Sequence, residues 1–415
     1  MIVLYLTGGL ITLVVGAELL VRGASDIAAR LRVPAIIVGL TIVAYGTSAP
    51  ELAVSTAAAF HGDASIALGN VVGSNIFNVF FILGLSSVIL PLTVSFKLIR
   101  FDVPVMIGTS IAGLLICADG LIDRRDGVIL LSLLILYSLW CLLEGVRETR
   151  EMRRSETAGR IETLPHAAAD LTVTAEPAPL QNPAAGMHGR SFFRDVSLIG
   201  LGLVMLVVGA DWLVHGASRT ARYFGVSELV IGLTVVAAGT SLPELATSVV
   251  AAFRKQVDLA VGNVVGSNIF NLLGVLGTAA VCDPTGIAVE RATLEFDFLV
   301  MIAAACACLP IFFTGLRINR TEGVLLLGWY LLYTVNLILD SAGSPVSTAL
   351  KFATLGIAVP VSAVFLTLSS IIELRQKLIV ISDRCRNPDL WKELEGRIPE
   401  NEVTVPENGS DGEAS

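Results

Sequence analysis

An internal repeat constrains this chain more than any other feature of its sequence. The segment Val14–Ser25 (VVGAELLVRGAS) returns as Val207–Ser218 (VVGADWLVHGAS), 193 positions further along. Val38–Ala53 returns as Ile231–Ala246 at the same offset, and so does ALGNVVGSNIFN, which begins at Ala67. Three matching blocks in one register predict two similar structural halves.

Composition indicates that both halves lie in a membrane. Of 415 residues, 54% are hydrophobic and only 15% are charged, whereas soluble domains carry about 25% charged residues. A transmembrane helix needs roughly 20 mainly apolar residues. Eleven segments qualify, at about residues 2–20, 34–59, 64–90, 103–118, 127–145, 195–214, 227–252, 257–282, 297–314, 323–340 and 348–370.

Each copy of the repeat contains five predicted spans, an odd number, so the two copies must cross the membrane in opposite directions. Inverted repeats are a common transporter architecture, with the substrate near the bilayer midplane between the copies. The sequence therefore predicts an all-α polytopic membrane protein with two inverted five-helix repeats and one extra C-terminal span, about 11 transmembrane helices in all.

Charge predicts the orientation of these regions. Of the 28 Lys and Arg residues, 22 fall on the side of the two hydrophilic stretches and six on the other, or nine against six in short loops alone. The positive-inside rule then places the N-terminus outside a multi-pass protein of the cell (inner) membrane. The predicted regions are the first repeat 1–145 with its motif at 39–78, a cytoplasmic linker 146–194, the second repeat 195–340 with its motif at 232–271, an extra span 348–370 and a cytoplasmic tail 373–415.

A short motif in each repeat places an acid within an apolar segment. Gly46–Glu51 reads GTSAPE, and Gly239–Glu244 reads GTSLPE. Pro50 lacks an amide hydrogen and clashes with a carbonyl of the preceding turn, so we expect a kink or break here, and likewise at Pro243. A break at membrane depth exposes carbonyl oxygens, which is tolerated only inside protein or against a polar cavity.

The two glutamates of these motifs need a counter-charge. An ionisable group at the bilayer centre costs at least roughly 2.5–3.5 kcal/mol, and two facing carboxylates repel each other. A bound cation removes both penalties, and Ca²⁺ prefers six to eight oxygen ligands. We therefore interpret Glu51 and Glu244 as an ion site rather than as two helix caps.

The span after each motif carries a polar stripe with four-residue spacing. We expect the serine and the last asparagine of each stripe to bind the ion. The alternative is hydrogen bonding between helices, which is the plausible interpretation for the first asparagine of each stripe. The stripes are Asn70, Ser74 and Asn78 in one copy and Asn263, Ser267 and Asn271 in the other.

Other polar residues receive structural interpretations. Glu18 and Asp211 match across the repeat and are expected to form ion pairs near helix ends, with Arg22 and His215. Asn336 is expected to form one hydrogen bond between helices. Two unmatched acids are expected in short loops, namely Asp63 and Asp258.

The sequence contains no Walker motif, no HExxH motif and no nucleotide-binding glycine loop. ATP-driven pumping is therefore not expected, nor is a nucleotide, nucleic-acid or cofactor partner. The expected partners are the lipid bilayer and the transported ions.

The paired blocks resemble the two alpha-repeats of the calcium/cation antiporter superfamily, and most closely its prokaryotic sodium/calcium exchanger branch. The resemblance covers the chain to about residue 340 and implies exchange of Ca²⁺ for Na⁺ by alternating access, with spans 1 and 6 moving against the core. Thr47 and Thr240 are implied to support the site. The implied ion ligands are side chains of Ser48, Glu51, Ser74, Asn78, Ser241, Glu244, Ser267 and Asn271, and backbone carbonyls of Ala44 and Ala237.

Two departures bear on the exchanged ion. The position of Asn271 is Asp in well-known sodium/calcium exchangers, so here only Glu51 and Glu244 carry charge, which balances one Ca²⁺. Proton-coupled members usually carry a glutamate after the Gly–Asn pair, where this chain has Val71 and Val264, and this favours Na⁺. The alternatives are a Ca²⁺/H⁺ or K⁺-dependent antiporter, a transporter of another divalent ion such as Mg²⁺, and more remotely a passive cation channel or an intramembrane enzyme.

Overall fold

The structure, a computed structural model, describes residues 2–62, 64–162, 192–225, 237–313 and 315–361, together with residues 364 and 375. The described residues are mostly helical, as predicted. Their helices are α1 (Ile2–Leu31), α2 (Ala35–Val38), α3 (Ala44–Thr47), α4 (Ala49–His61), α5 (Ala64–Ile76), α6 (Gly84–Ile89), α7 (Val103–Ile116), α8 (Arg124–Glu162), α9 (Phe192–Tyr223), α10 (Ala237–Gly239), α11 (Leu242–Phe253), α12 (Val257–Phe270), α13 (Leu276–Cys282), α14 (Phe298–Phe313), α15 (Arg320–Ser341) and α16 (Pro345–Ala353).

Short π-helical segments join many of these helices. A π-helical turn widens the helix by one residue and is frequent at functional sites. Asn78 lies in one such segment and Asn271 begins another, so both predicted polar stripes leave the regular α-helix at their last residue. The π-helical segments are Gly39–Val43, Phe77–Leu83, Leu98–Asp102, Asn271–Val275, Thr293–Asp297 and Thr354–Ala358.

Most of the predicted spans correspond to helices of the structure that are long and apolar enough to cross a membrane. The seventh predicted span, 227–252, is described only from residue 237 onward, and the eleventh, 348–370, only in part, so the count of eleven remains a prediction. Within the described ranges, eight single helical stretches are long and apolar enough to cross a membrane: Ile2–Leu31, Ile66–Ile89, Leu98–Asp119, Arg124–Arg150, Phe192–Tyr223, Val257–Cys282, Thr293–Phe313 and Arg320–Ser341.

A ninth span is broken, as the proline predicted. Ala35–Thr47 and Ala49–His61 are bent by 44° at Ser48. Pro50 lies in the first turn of α4, where a missing amide hydrogen costs no helical hydrogen bond. The second copy starts α11 in the same way, with Ser241 before the helix and Pro243 in its first turn.

Burial separates a central group of helices from a peripheral pair. In the most apolar windows of Ile66–Ile89 and Val257–Cys282, 72% and 83% of the residues are buried. The corresponding values for α1 and α9 are 22% and 28%, because most of their surface faces away from the protein. The spans that carry the polar stripes therefore form the centre of the fold.

Helices α1 and α9 pack against each other through glycines. A methyl group on Gly16 would lie 2.8 Å from the backbone nitrogen of Leu206, and one on Gly202 would lie 2.7 Å from that of Leu20. Such backbone contact is open only to residues without a side chain, as in small-xxx-small helix pairs of membrane proteins. The peripheral helices thus form one closely packed pair.

Two short antiparallel ladders depart from the prediction of an all-α chain. Strand β1 (Leu92–Thr93) pairs with β4 (Arg317–Ile318), and β2 (Leu121–Ile122) pairs with β3 (Ile287–Ala288). Strands of two residues carry too little alternation to be found by periodicity. Each ladder joins one strand from each half of the chain and so connects loops of the two halves.

Several predicted regions lie partly outside the described residues. Helix α8 continues to Glu162, so helix extends past residue 145, where the predicted linker begins. Residues 163–191 of the linker, and the predicted tail apart from residue 375, lie outside the described ranges. Asp63 also lies outside them, whereas Asp258 is in the first turn of α12, so its predicted loop position is wrong.

Candidate cation-binding site

Each glutamate of the repeated motif lies in the first turn of a helix that starts at a break. Ser48 precedes α4 and Ser241 precedes α11, and neither serine side chain caps its own helix. Glu51 and Glu244 are both fully buried. The first turn of a helix carries partial positive charge, which favours a carboxylate there. The helix breaks therefore supply a local reason for an acid at each position.

The two motifs meet through crossed hydrogen bonds. The Ser48 hydroxyl donates to Oε1 of Glu244 over 2.7 Å, and the Ser241 hydroxyl donates to Oε1 of Glu51 over 2.8 Å. The Ser241 hydroxyl oxygen also lies 3.0 Å from that of Ser74. Each serine therefore pairs with the glutamate of the other half and not with the glutamate of its own motif.

Four buried oxygens at this centre accept no hydrogen bond from the described residues. They are Oε2 of both glutamates and Oδ1 of Asn78 and Asn271. Buried polar atoms are nearly always hydrogen-bonded in native structures, so each exception needs an explanation. The exceptions here fall on residues that the sequence predicted as ligands.

We call the two glutamates, Ser48, Ser241, Ser74, Asn78 and Asn271 the cluster. The remaining predicted ligands surround this cluster or fall at the edge of the described residues. Ser267 is fully buried, and its hydroxyl lies 3.5 Å from the carbonyl oxygen of Ala44. That carbonyl also accepts from the amide of Ser48 at 3.0 Å and from the hydroxyl of Thr47 at 3.2 Å, so it is not a free oxygen. Ala237 begins α10, and its surroundings lie outside what the structure describes.

The first asparagine of each stripe fastens helices together. Asn70 donates to the Ser55 hydroxyl at 2.9 Å, and its oxygen accepts from Thr240 at 3.2 Å. Asn263 makes the matching bonds, donating to Ser248 at 3.0 Å and accepting from Thr47 at 3.2 Å. These contacts agree with the interhelical interpretation. They also show that Thr47 and Thr240 bond the first asparagine of a stripe in the other half.

Two asparagines outside the predicted polar stripes, Asn75 and Asn268, contact the cluster directly. Their side-chain oxygens accept hydrogen bonds from the amides of Asn271 and Asn78. The signal was available, because both residues occur in the repeated block GSNIFN. They fall off the stripe because it follows spacings of four, whereas Asn75 and Asn268 each lie three positions before the last asparagine of their stripe.

Two further acids, the buried Asp102 and the half-buried Asp297, lie away from the cluster and are each paired with a tyrosine. The Tyr137 hydroxyl donates to Asp102 at 3.2 Å, and the Tyr333 hydroxyl donates to Asp297 at 3.1 Å. Each aspartate ends a π-helical segment at the start of a span. These pairs connect α7 to α8 and α14 to α15.

The other polar predictions have mixed outcomes. Glu18 forms the predicted ion pair with Arg22 and a second one with Arg254, although it lies well inside α1 rather than near its end. Asp211 is exposed and forms no ion pair with His215 within the described part of α9, so that prediction is wrong. A single interhelical hydrogen bond is confirmed for Asn336, whose amide donates to a threonine hydroxyl, that of Thr354, at 3.2 Å.

The cluster is rich in oxygen, buried and anionic. Each of its two carboxylates contributes one negative charge when ionised, and no Lys or Arg within the described ranges forms an ion pair with Glu51 or Glu244. Serine hydroxyls and amide oxygens add uncharged oxygen ligands. Hard cations take oxygen sets of this kind. The arrangement can therefore hold a cation away from water.

Comparison with known proteins places the chain in a family. Residues 1–143 and 195–339 match the family model described as sodium/calcium exchanger protein. The chain belongs to the sodium/calcium exchanger family. The match omits residues 144–194, which correspond closely to the predicted linker, and so it covers both copies of the repeat.

Relatives of this exchanger-family chain cover most of its length. CaxA of Alkalimonas amylolytica is 37% identical over 322 residues, which are 77% of this chain and 93% of CaxA. Inner membrane protein YrbG of Escherichia coli is 32% identical over 331 residues, 78% of this chain and 93% of YrbG. A structure of the sodium-calcium exchanger NCX_Mj matches with a TM-score of 0.64 at 30% identity, over 81% of this chain and 100% of that one.

These findings confirm the resemblance seen in the sequence, including its prokaryotic branch. The exchanger family consists of secondary transporters, so this chain is a cation/Ca²⁺ antiporter and not an enzyme. It is a multi-pass protein of the cell membrane, in keeping with its apolar spans and its inner-membrane relative.

Proposed function

We propose that this antiporter exchanges Ca²⁺ for Na⁺ at a site centred on Glu51 and Glu244. The observation that carries the proposal is the set of four buried, unpaired oxygens, two from carboxylates and two from amides. Without an ion, each unpaired carboxylate oxygen lacks the hydrogen bonds it has in water, which is costly at membrane depth. A cation supplies the missing partner to all four.

Charge and ligand number both favour Ca²⁺ as one of the two ions. Two carboxylates balance one Ca²⁺ or two Na⁺. Ca²⁺ takes six to eight oxygens at roughly 2.3–2.6 Å, so the four unpaired oxygens need a few more donors. We propose that these come from serine hydroxyls, namely Ser48, Ser74, Ser241 and Ser267, and from the helix-break carbonyls of Ala44 and Ala237. The Thr47 and Ser267 hydroxyls would turn away from the Ala44 carbonyl when the ion binds.

Two observations favour Na⁺ over H⁺ as the exchanged ion. The positions after the Gly–Asn pairs are Val71 and Val264, which cannot carry a proton. NCX_Mj, a structural neighbour, is a sodium-calcium exchanger, and among its structures one was soaked with Na⁺ and Sr²⁺ and another with Na⁺ and Ca²⁺. H⁺-coupled and K⁺-dependent exchange are the outcomes to test against.

The exchange would proceed by alternating access between two inverted repeats. The odd number of spans per copy and the crossed bonds from Ser48 and Ser241 support this arrangement. Helices α1 and α9 form a separate peripheral pair and are the elements that would move against the centre. An unloaded site leaves buried carboxylates unpaired, so the loaded forms should pass the occluded state more easily, which couples the two fluxes.

The test is the counter-ion dependence of radiolabelled Ca²⁺ uptake into liposomes that contain the purified chain. Na⁺ trapped inside should drive uptake, whereas the same concentration of K⁺ or a pH gradient should not. Uptake driven by a pH gradient alone would identify H⁺, and not Na⁺, as the exchanged ion. A strict need for K⁺ would identify a K⁺-dependent exchanger. Uptake and ionic current without any counter-ion would contradict exchange altogether.

A further inference from the structure

We infer that Asn75 and Asn268 are positioning residues, which hold the amides of Asn78 and Asn271 with their oxygens turned to the transported ion. The inference rests on the proposed function, because it concerns the same site. It goes beyond that proposal in assigning a role to two residues that are not themselves ligands.

Asn75 and Asn268 close a ring of hydrogen bonds between the two halves by donating to each other's backbone carbonyls, and Asn78 and Asn271 each donate to one side-chain oxygen of this ring. Asn78 Nδ2 donates to Asn268 Oδ1 at 3.0 Å, and Asn271 Nδ2 donates to Asn75 Oδ1 at 3.1 Å. Asn75 Nδ2 donates to the backbone carbonyl of Asn268 at 3.2 Å, and Asn268 Nδ2 donates to that of Asn75 at 3.3 Å. Each bond joins one half of the chain to the other.

The orientation of the Asn75 and Asn268 amides is fixed by their surroundings. Asn75 Nδ2 also lies 3.7 Å from the sulfur of Met301, and Asn268 Nδ2 lies 3.6 Å from that of Met106. Turning Asn75 over would place its NH₂ against the NH₂ of Asn271 and its oxygen against a carbonyl and a sulfur. A buried network in which every member is satisfied is rigid, because any flip leaves several groups unpaired.

This rigidity is transmitted to Asn78 and Asn271. Each gives an amide hydrogen to the ring, so its oxygen must point the other way, and both oxygens are indeed buried without a hydrogen-bond donor among the described residues. A released amide could turn over and put its NH₂ where its oxygen now lies. An NH₂ group repels a cation and offers it no lone pair. The ring therefore determines how many oxygens the site offers.

An exchange of asparagine for aspartate isolates this effect. A carboxylate has an oxygen on both sides, so its function does not depend on which way it is turned. If Asn75 acts only by orienting Asn271, then Asn75→Ala should no longer raise the KM once Asn271→Asp is present, because the carboxylate needs no orienting and would set an oxygen against Asn75 Oδ1. It should keep its effect beside Asn78→Asp, because Asn78 is held by Asn268.

The experiment is Ca²⁺ uptake by the single and double variants, with rates divided by the amount of folded transporter. We expect Asn75→Ala alone to raise the apparent KM for Ca²⁺ roughly tenfold, with less change in kcat, as expected for the loss of one to two buried hydrogen bonds. In the Asn271→Asp background the same change should not raise KM, whereas in the Asn78→Asp background it should raise KM by roughly tenfold again. Asn268→Ala should show the mirrored pattern.

Equal effects of Asn75→Ala in all three backgrounds would mean that the ring only holds helices together, and would overturn the inference. So would an unchanged KM in the single variant. If Asn75→Ala does not fold, Asn75→Ser replaces it, since serine is too short to reach Asn271. For the same single and double variants, the Ca²⁺-induced rise in melting temperature is also measured in detergent. That readout needs no counter-ion, so failure of Na⁺ exchange would leave it intact.

Discussion

Two regions of the molecule bury carboxylates completely, and they compensate them in different ways. At the start of α9, Asp195 is fully buried and forms ion pairs with Arg30 of α1 at 2.8 Å and with Arg194 at 3.2 Å. At the centre, Glu51 and Glu244 are equally buried, but serine hydroxyls are the partners of their side chains among the described residues.

This difference distinguishes an acid that stabilises the fold, Asp195, from the two acids proposed to bind the transported ion. A buried charge must be compensated, and the protein does so permanently at Asp195 by supplying arginines. At Glu51 and Glu244 it supplies only neutral donors, and the remaining compensation is left to an ion that can leave. Four sets of variants, taken from the largest expected effect to the smallest, test this distinction.

The central acids should be needed for transport and not for stability. Glu51→Gln and Glu244→Gln should each lower Ca²⁺ uptake by at least roughly 100-fold, equivalent to about 2.7 kcal/mol, because the charge that binds the ion is lost. Both should also abolish the Ca²⁺-induced rise in melting temperature while leaving the melting temperature without Ca²⁺ unchanged or higher. Uptake close to that of the unmodified chain would exclude this site.

The peripheral acid should be needed for stability and not for transport. Asp195→Asn should lower the free energy of unfolding by about 1–3 kcal/mol. We expect less than the roughly 3–5 kcal/mol of a fully buried pair, because Arg30 and Arg194 are 30% and 41% exposed and can be hydrated. Uptake per folded molecule and the Ca²⁺-induced thermal shift should persist, and their loss would place Asp195 in the transport machinery.

The serines at the helix breaks should have an intermediate effect. Ser48→Ala and Ser241→Ala each remove one hydroxyl that donates to a buried carboxylate. Each should raise the apparent KM for Ca²⁺ roughly tenfold, since a hydrogen bond to a charged group is worth about 1.5–3 kcal/mol and part of this is recovered by the bound ion. Ser55→Ala, away from the carboxylates, is the matched control. Equal effects of all three would argue against the crossed bonding.

The smallest effect is expected at the partly exposed acid of α1. Glu18 pairs with Arg22 and Arg254, but its side chain is 25% exposed and both arginines are more so. Glu18→Gln should therefore change the free energy of unfolding by less than about 1 kcal/mol. A denaturant titration at low and high salt measures this, because screening should reduce even that difference. A larger, salt-independent loss would contradict the assignment as a surface pair.

The sequence predicted those parts of the site in which local chemistry and the repeat agree. Pro50 fixes the break without reference to tertiary structure, and the matched position of Pro243 repeats it. The meeting of Glu51 with Glu244 followed from duplication, since two copies of one motif in a symmetric pair must approach the same axis.

The parts that could not be predicted depend on helix register and on distant contacts. The polar stripe counts only spacings of four and so passes over Asn75, and the contact of Asn75 with Asn271, 196 positions away, leaves no mark in local spacing. The pair of Arg30 with Asp195 joins residues 165 positions apart and has no counterpart in the other half, so neither spacing nor repetition indicates it.

The crossed bonds from Ser48 and Ser241 have a consequence for how such a chain could arise and be divided. Each half carries an acid whose hydroxyl partner lies on the other half. One half alone would bury a carboxylate with no donor, yet two identical halves would complete each other. A gene for one half would thus have encoded a subunit that functions as a pair, before two copies of the gene fused. A chain cut within residues 163–191 should still assemble, provided that both pieces are made together.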